Sequence, residues 1–192
     1  MEMQGSRTLA VTVQQAWEAL NDPAMLQTCI PGCEKFELTE PDTYAVTTAI
    51  KIGPVAARFS GRVRLSDIVP PQSYTLGFDA QGGVAGFGKG QAAVRLAPTD
   101  TGCELTYTVQ STVGGKLAQL GQRLIDGASR SLAEDFFRRF EEALAKRYPA
   151  APGDTATAPA VQAPSAAPLL PAWGWGLITV VVAAAVYLAT RG

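Results

Sequence analysis

Histidine is absent from this chain of 192 residues. That removes the side chain that most often moves protons near neutrality and most often holds a metal. Ser-His-Asp and Cys-His nucleophiles and HExxH zinc sites are therefore impossible. The remaining soft nucleophiles are Cys29, Cys33 and Cys103. Cys29 and Cys33 would share a face of a continuous helix, but Pro31 and Gly32 interrupt it, the spacing is not CxxC, and no third soft ligand is near. They read as small, semi-buried apolar residues, and an odd number of thiols in a chain too large to need stapling indicates a reducing, cytosolic compartment. Gly86-Phe87-Gly88-Lys89-Gly90 has the glycines and lysine of a phosphate loop. It lacks the GxxxxGK[ST] spacing and leads into a strand, so nucleotide binding is rejected. No metal set and no catalytic set emerges, and the inward faces offer an enzyme mainly Tyr44, Tyr74 and Tyr107.

The elements that position these residues follow from period and punctuation. Residues 3–11 alternate as a strand; Thr12 with Gln15 is a capping box opening one short helix, and Asp22-Pro23 opens a second that Gly32 ends. Six alternating segments follow between Cys33 and Val113, joined by turns such as Glu40-Pro41-Asp42 and Val69-Pro70-Pro71, which describes an antiparallel meander. Leu117, Leu120, Leu124, Ala128, Leu132, Phe136, Phe140 and Leu144 then recur at helical spacing to about Tyr148. The expected fold is α+β: a helix-grip, a curved antiparallel β-sheet around a long C-terminal α-helix.

Charge divides the chain. Fifteen of 16 basic and 16 of 17 acidic residues lie in residues 1–148, the expected domain. The net charge of -1 gives no field that would gather a polyanion, so nucleic acid is not an expected partner. Residues 149–171 hold six Pro and eight Ala among 23 and read as an extended linker, with a reach between roughly 26 and 70 Å. Residues 172–190 contain the 18 uncharged residues Trp173–Thr190, about 27 Å of helix, with Trp173, Trp175 and Tyr187 toward its ends. This reads as a transmembrane tail anchor. The N-terminus has no signal-peptide pattern, so the expected topology is a single-pass C-terminal anchor in the bacterial inner membrane with the domain facing the cytoplasm.

Inward strand positions carry small residues at Thr48, Gly61, Gly88, Gly90 and Ala92. Two readings stand: the sheet stays hollow around its helix, or each glycine admits the helix or marks a bulge and no cavity remains. If a ligand enters, its wall is expected from Phe59, Phe78, Phe87, Tyr107, Leu117, Leu120 and Leu124, although strict alternation turns Phe87 outward. Gly86, Gly88 and Gly90 suit a flexible edge that gates the cavity. Arg58, Arg62 and Arg64 form a basic stripe that reads chiefly as a solvated face.

Four blocks, NDPAMLQTCIPGCE (21–34), IKIGPVAARFSGRVRL (50–65), GFGKGQAAVRL (86–96) and VGGKLAQLGQRLIDGASRSLAEDFF (113–137), resemble the CoxG family, named for the G subunit of carbon monoxide dehydrogenase, in the START-like SRPBCC superfamily. The resemblance covers essentially residues 1–145. It implies a START-like cavity for an apolar ligand, with Ile30, Pro31 and Gly32 at its entrance and no covalently bound cofactor. It further implies a non-catalytic role beside a molybdenum hydroxylase such as aerobic carbon monoxide dehydrogenase: recruiting that enzyme to the membrane and binding a respiratory quinone, menaquinone or ubiquinone. The alternatives are a pure tethering adaptor whose grip is filled by its own side chains and, ranked below it, an enzyme on the same fold.

Overall fold

The computed structural model describes residues 1–149. Strand β1 (Glu2–Leu9) is followed by helices α1 (Val13–Leu20) and α2 (Pro23–Cys29). Strands β2 (Cys33–Glu40), β3 (Thr43–Ile52), β4 (Val55–Val69), β5 (Ser73–Gln81), β6 (Phe87–Thr99) and β7 (Gly102–Gly114) come next, then helix α3 (Gln122–Arg147). The seven strands form one antiparallel sheet in the order β1-β7-β6-β5-β4-β3-β2. Five consecutive hairpins make β2 to β7, and the one crossover, from β1 to β2, carries α1 and α2.

Local chemistry fixes the two short helices. The Gln15 amide donates to Thr12 Oγ1 at 3.2 Å while the Thr12 amide donates to Gln15 Oε1 at 2.9 Å, so the expected capping box forms. At α2 the amides of Ala24 and Met25 donate to Asp22 Oδ1 at 3.0 and 3.4 Å, with Pro23 in the first turn. Gly32, at φ +69°, turns the chain out of α2, and its carbonyl accepts from the Ala49 amide on β3 at 2.8 Å. A side chain there would bring its Cβ to 2.1 Å from the Ala49 carbonyl oxygen, so only glycine fits.

The long helix differs from expectation at its start. Helical spacing runs back to Leu117, but Gly121 adopts φ +86° and Ala118–Leu120 close into a 3-10 turn, so α3 begins at Gln122. Positive φ breaks the hydrogen-bond ladder that the apolar stripe alone would continue.

Period two places whole rows of inward side chains side by side. Tyr44, Val63, Phe78 and Gly90 form one row; Leu65, Leu76, Ala92, Val109 and Met3 the next; Tyr74, Val94, Tyr107 and Gly5 the third. Gly61 and Gly90 serve the curl of the sheet. An added Cβ would lie 2.0 Å from the Asp79 carbonyl oxygen at Gly61 and 2.2 Å from that of Gln110 at Gly90, each on a neighbouring strand. The glycines thus let strand approach strand, and not helix approach sheet.

Two apolar clusters close the interior. One joins Leu9, Ala16, Leu20, Cys29, Leu96, Cys103, Leu105, Phe137, Phe140 and Leu144, tying α1, α2 and the second half of α3 to β1, β6 and β7. The other, Phe59, Ala85 and Leu117, lies toward the opposite ends of the strands, with Ile50, Ile52, Val55 and Leu120 packed on it. Cys29 and Cys103 are fully buried, Cys33 donates its thiol to the Lys35 carbonyl at 3.3 Å, and burial pushes all three thiols above their ordinary values. Cys29 and Cys103 are core residues, and Cys33 is half-buried at the start of β2.

Asp22 also bonds Arg147 Nη1 at 2.6 Å, tying the cap of α2 to the end of α3. The Arg147 hydrogen bond holds its carboxyl below the ordinary value, against the opposing effect of desolvation. A depressed folded-state value contributes stability above the ordinary carboxylate range that fades as pH falls through the depressed value. Asp22→Ala should lower the unfolding free energy by about 1 kcal/mol at neutral pH, with the gap to wild type narrowing in acid; urea denaturation across the pH range reads both. Gly32→Ala, which meets both the positive φ and the Ala49 carbonyl, should cost about 2 kcal/mol or more by the same measurement.

Candidate functional site

Between the two clusters lies a cavity of about 460 Å³. Its floor is the three rows of inward residues on β3 to β7 and β1, including Tyr44, Val63, Leu65, Tyr74, Leu76, Phe78, Ala92, Val94, Tyr107 and Val109. Ala133, Phe136 and Phe137 of α3 form the roof, three and four residues apart and hence on one helix face. Leu20 of α1, Leu26 of α2, Ile30 and Phe36 of β2 close the side.

Side-chain size explains why this space is not filled. The two roof phenylalanines are engaged elsewhere: Phe136 stacks on Phe140 with centroids 5.6 Å apart, and Phe137 stacks on Tyr107 at 5.4 Å with the Arg7 guanidinium 5.6 Å over its ring. Ala133 on α3 and Ala92 on β6 are the smallest residues of the lining. A space lined this way offers little to water and suits an apolar guest.

No Asp, Glu, Lys or Arg is among the lining residues, so the wall offers no charge. Its side-chain hydroxyls are the phenols of Tyr44, Tyr74 and Tyr107. Burial pushes the Tyr74 phenol far above its ordinary value and the Tyr44 phenol in the same direction, so both stay neutral hydrogen-bonding groups. Such a site binds and orients an uncharged, apolar molecule; it supplies no acid or base near pH 7. Among the described residues no group of three or more His, Cys, Asp or Glu stands together as a metal set.

Of the residues expected at the cavity, Phe78, Tyr107 and Ile30 are in its wall. Phe59 and Leu117 are instead buried in the second cluster, with Leu120 against it, because Gly121 detaches the segment before it from α3. Leu124 is 44% exposed, and Phe87 sits on the outer face opposite Gly114, as alternation demands. Pro31 and Gly32 form the tight turn bonded to β3. Gly86 is packed on the backbone of Gly114 and Gly115 and accepts from the Gly82 amide at 2.8 Å. That glycine-rich corner belongs to the second cluster and not to the cavity mouth. Gly88 faces open space and Gly90 lies against β7. The wall residues absent from the expected set include small and medium ones, Val63, Leu65, Leu76, Val94 and Ala133, and also the aromatics Phe36, Tyr44, Tyr74, Phe136 and Phe137, whose placement depends on how the sheet curls around α3.

The basic stripe is largely neutralised or open to solvent. Arg58 Nε lies 2.8 Å from Glu34 Oε2, Arg138 pairs with Asp135 and Glu142, and Arg139 lies 2.9 Å from Asp135. Arg62 and Arg64 border a wide outer groove of about 880 Å³ with Asp79, Lys89 and Glu2, a mixed-charge surface without enclosure. Among the described residues no helix is long and apolar enough to cross a membrane; the linker and the expected anchor, residues 150–192, lie outside them.

The family model of CoxG, the G subunit of carbon monoxide dehydrogenase, matches residues 5–145. The chain belongs to the CoxG family. A conserved protein from Geobacillus kaustophilus of known crystal structure is similar at 36% identity and TM-score 0.72, over 76% of this chain and 96% of its own. Fold alone is shared with a protein from Rhizobium leguminosarum (15% identity, TM-score 0.61, 76% and 95% covered) and one from Thermus thermophilus (13%, 0.60, 77% and 99%). These solved chains are nearly completely spanned by the CoxG-like domain, so a domain of this kind folds without a tail. A search of curated proteins returns no match. The architecture is the START-like α+β grip.

The cavity's position makes a direct test possible. Ala133→Trp should abolish most of the fluorescence enhancement of N-phenyl-1-naphthylamine bound to the domain, with the far-UV circular dichroism kept. Leu120→Trp, outside the lining, should leave the dye signal in place.

Proposed function

We propose that this protein is a non-catalytic, membrane-anchored accessory of a molybdenum hydroxylase of the carbon monoxide dehydrogenase type, and that its cavity carries a respiratory quinone, menaquinone or ubiquinone. The observation that carries the reading is a partly open, uncharged cavity of about 460 Å³ in a CoxG-family domain. That volume lies in the range of small-molecule sites, and the wall combines hydrocarbon with a few phenolic hydroxyls.

Physical chemistry links the parts. Each exposed methylene of an isoprenoid tail costs about 0.8 kcal/mol in water, so passage of a quinone between bilayer and enzyme calls for an apolar sleeve. The linker of residues 149–171 and the apolar segment 172–190 supply the leash, holding the domain near the bilayer and raising its effective concentration there without new contacts. Association with carbon monoxide dehydrogenase comes from the family's description.

The full chain purified from membranes, extracted with organic solvent and analysed by mass spectrometry, should release a quinone in near-stoichiometric amount, and Ala133→Trp should release far less. An extract with no quinone from either would leave only a tethering adaptor.

A further inference from the structure

The cavity wall is hydrocarbon apart from three phenols, and these differ in what they face. The Tyr107 hydroxyl is turned onto the backbone of β1: a Cβ on Gly5 would fall 2.5 Å from that oxygen. Its ring is held on Phe137. Tyr74 is 6% exposed, with its ring against the edge of Trp17 at 5.6 Å, and the Tyr44 ring lies 5.1 Å from Phe36. Among the described residues none of the three hydroxyls, that of Tyr107 included, has a hydrogen-bond partner. Yet no buried side-chain nitrogen or oxygen among them is sealed from space without one. An oxygen that has no partner and is not sealed opens on accessible space; Tyr44 and Tyr74 both line the cavity, and Tyr74 also borders a smaller groove with Asp67 and Arg95.

Placing a hydroxyl in an apolar wall without a partner costs free energy that phenylalanine would not. Two such hydroxyls, on neighbouring parts of one wall, mark the place where a bound molecule presents an acceptor. We propose that Tyr74, with Tyr44 beside it, is the polar anchor of the cavity, its hydroxyl donating to a carbonyl oxygen on the ring of an otherwise apolar ligand. The inference rests on the quinone reading and deepens it: the ring lodges beside Tyr74, on the side of the wall where Tyr74 meets Trp17. The uncharged wall gives an anionic headgroup no partner, so the acceptor belongs to a neutral carbonyl.

The domain of residues 1–149 contains Trp17 and neither Trp173 nor Trp175, so its tryptophan emission reports on this end of the cavity. A short-chain menaquinone should quench Trp17 on binding. Tyr74→Phe should weaken that binding by roughly tenfold, and Tyr44→Phe/Tyr74→Phe by more. Squalene, a hydrocarbon without a carbonyl, measured by displacement of N-phenyl-1-naphthylamine, should bind wild type and both variants alike. Equal menaquinone affinity in wild type and the double variant would overturn the anchor while leaving the quinone reading intact. A wild-type domain that binds squalene but no menaquinone would overturn both.

Discussion

One α-helix cannot fill the concave side of a seven-stranded sheet. At 1.5 Å per residue, α3 is about 39 Å long and covers a single stripe, whereas the rows facing it run across six strands. The structure meets this mismatch by packing solidly at two places only. Leu105, Phe140 and Leu144 bind α3 at one end, and Phe59 with Leu117 plugs the other. Between them the aliphatic and aromatic side chains of sheet and helix do not fill the span, and a hollow remains. Gly61 and Gly90 deepen it, because the close strand contacts they permit curl the sheet around the helix.

The chemistry of the hollow follows from the same arrangement. Charged side chains alternate to the outer face, where Arg62, Asp79 and Lys89 stay hydrated, because burying them unpaired would cost several kcal/mol each. The inner face is therefore neutral, and burial pushes its Tyr44 and Tyr74 phenols further from ionisation. Such an interior has little to offer bond-making and much to offer a guest that water rejects. The apolar hollow is thus a consequence of how one helix and one curled sheet divide their residues.

Much of this is legible in the sequence. Alternation marks the inward faces of β3 to β7, and Thr12 with Gln15 and Asp22 with Pro23 mark both short helices, because these signals depend only on neighbours in the chain. The start of α3 is not legible. The stripe through Leu117, Leu120 and Leu124 satisfies helical spacing, and only the positive φ of Gly121 separates those residues from the helix. The wall of the cavity is legible in part for a related reason. Large aromatic residues are the natural candidates to surround a ligand, yet Phe59 plugs the far cluster and Phe87 lies outside, while Ala92 and Ala133 line the open space. Cavities form where side chains are missing, and a sequence announces what is present more plainly than what a pair of distant alanines leaves empty.

The account depends on that emptiness. Diffraction from crystals of the delipidated domain under xenon pressure tests it most directly, since xenon enters dry apolar voids. The account expects a strong xenon peak between Ala92, Val94, Phe78 and Phe136. Electron density showing α3 collapsed onto those strands, with no xenon there, would contradict it.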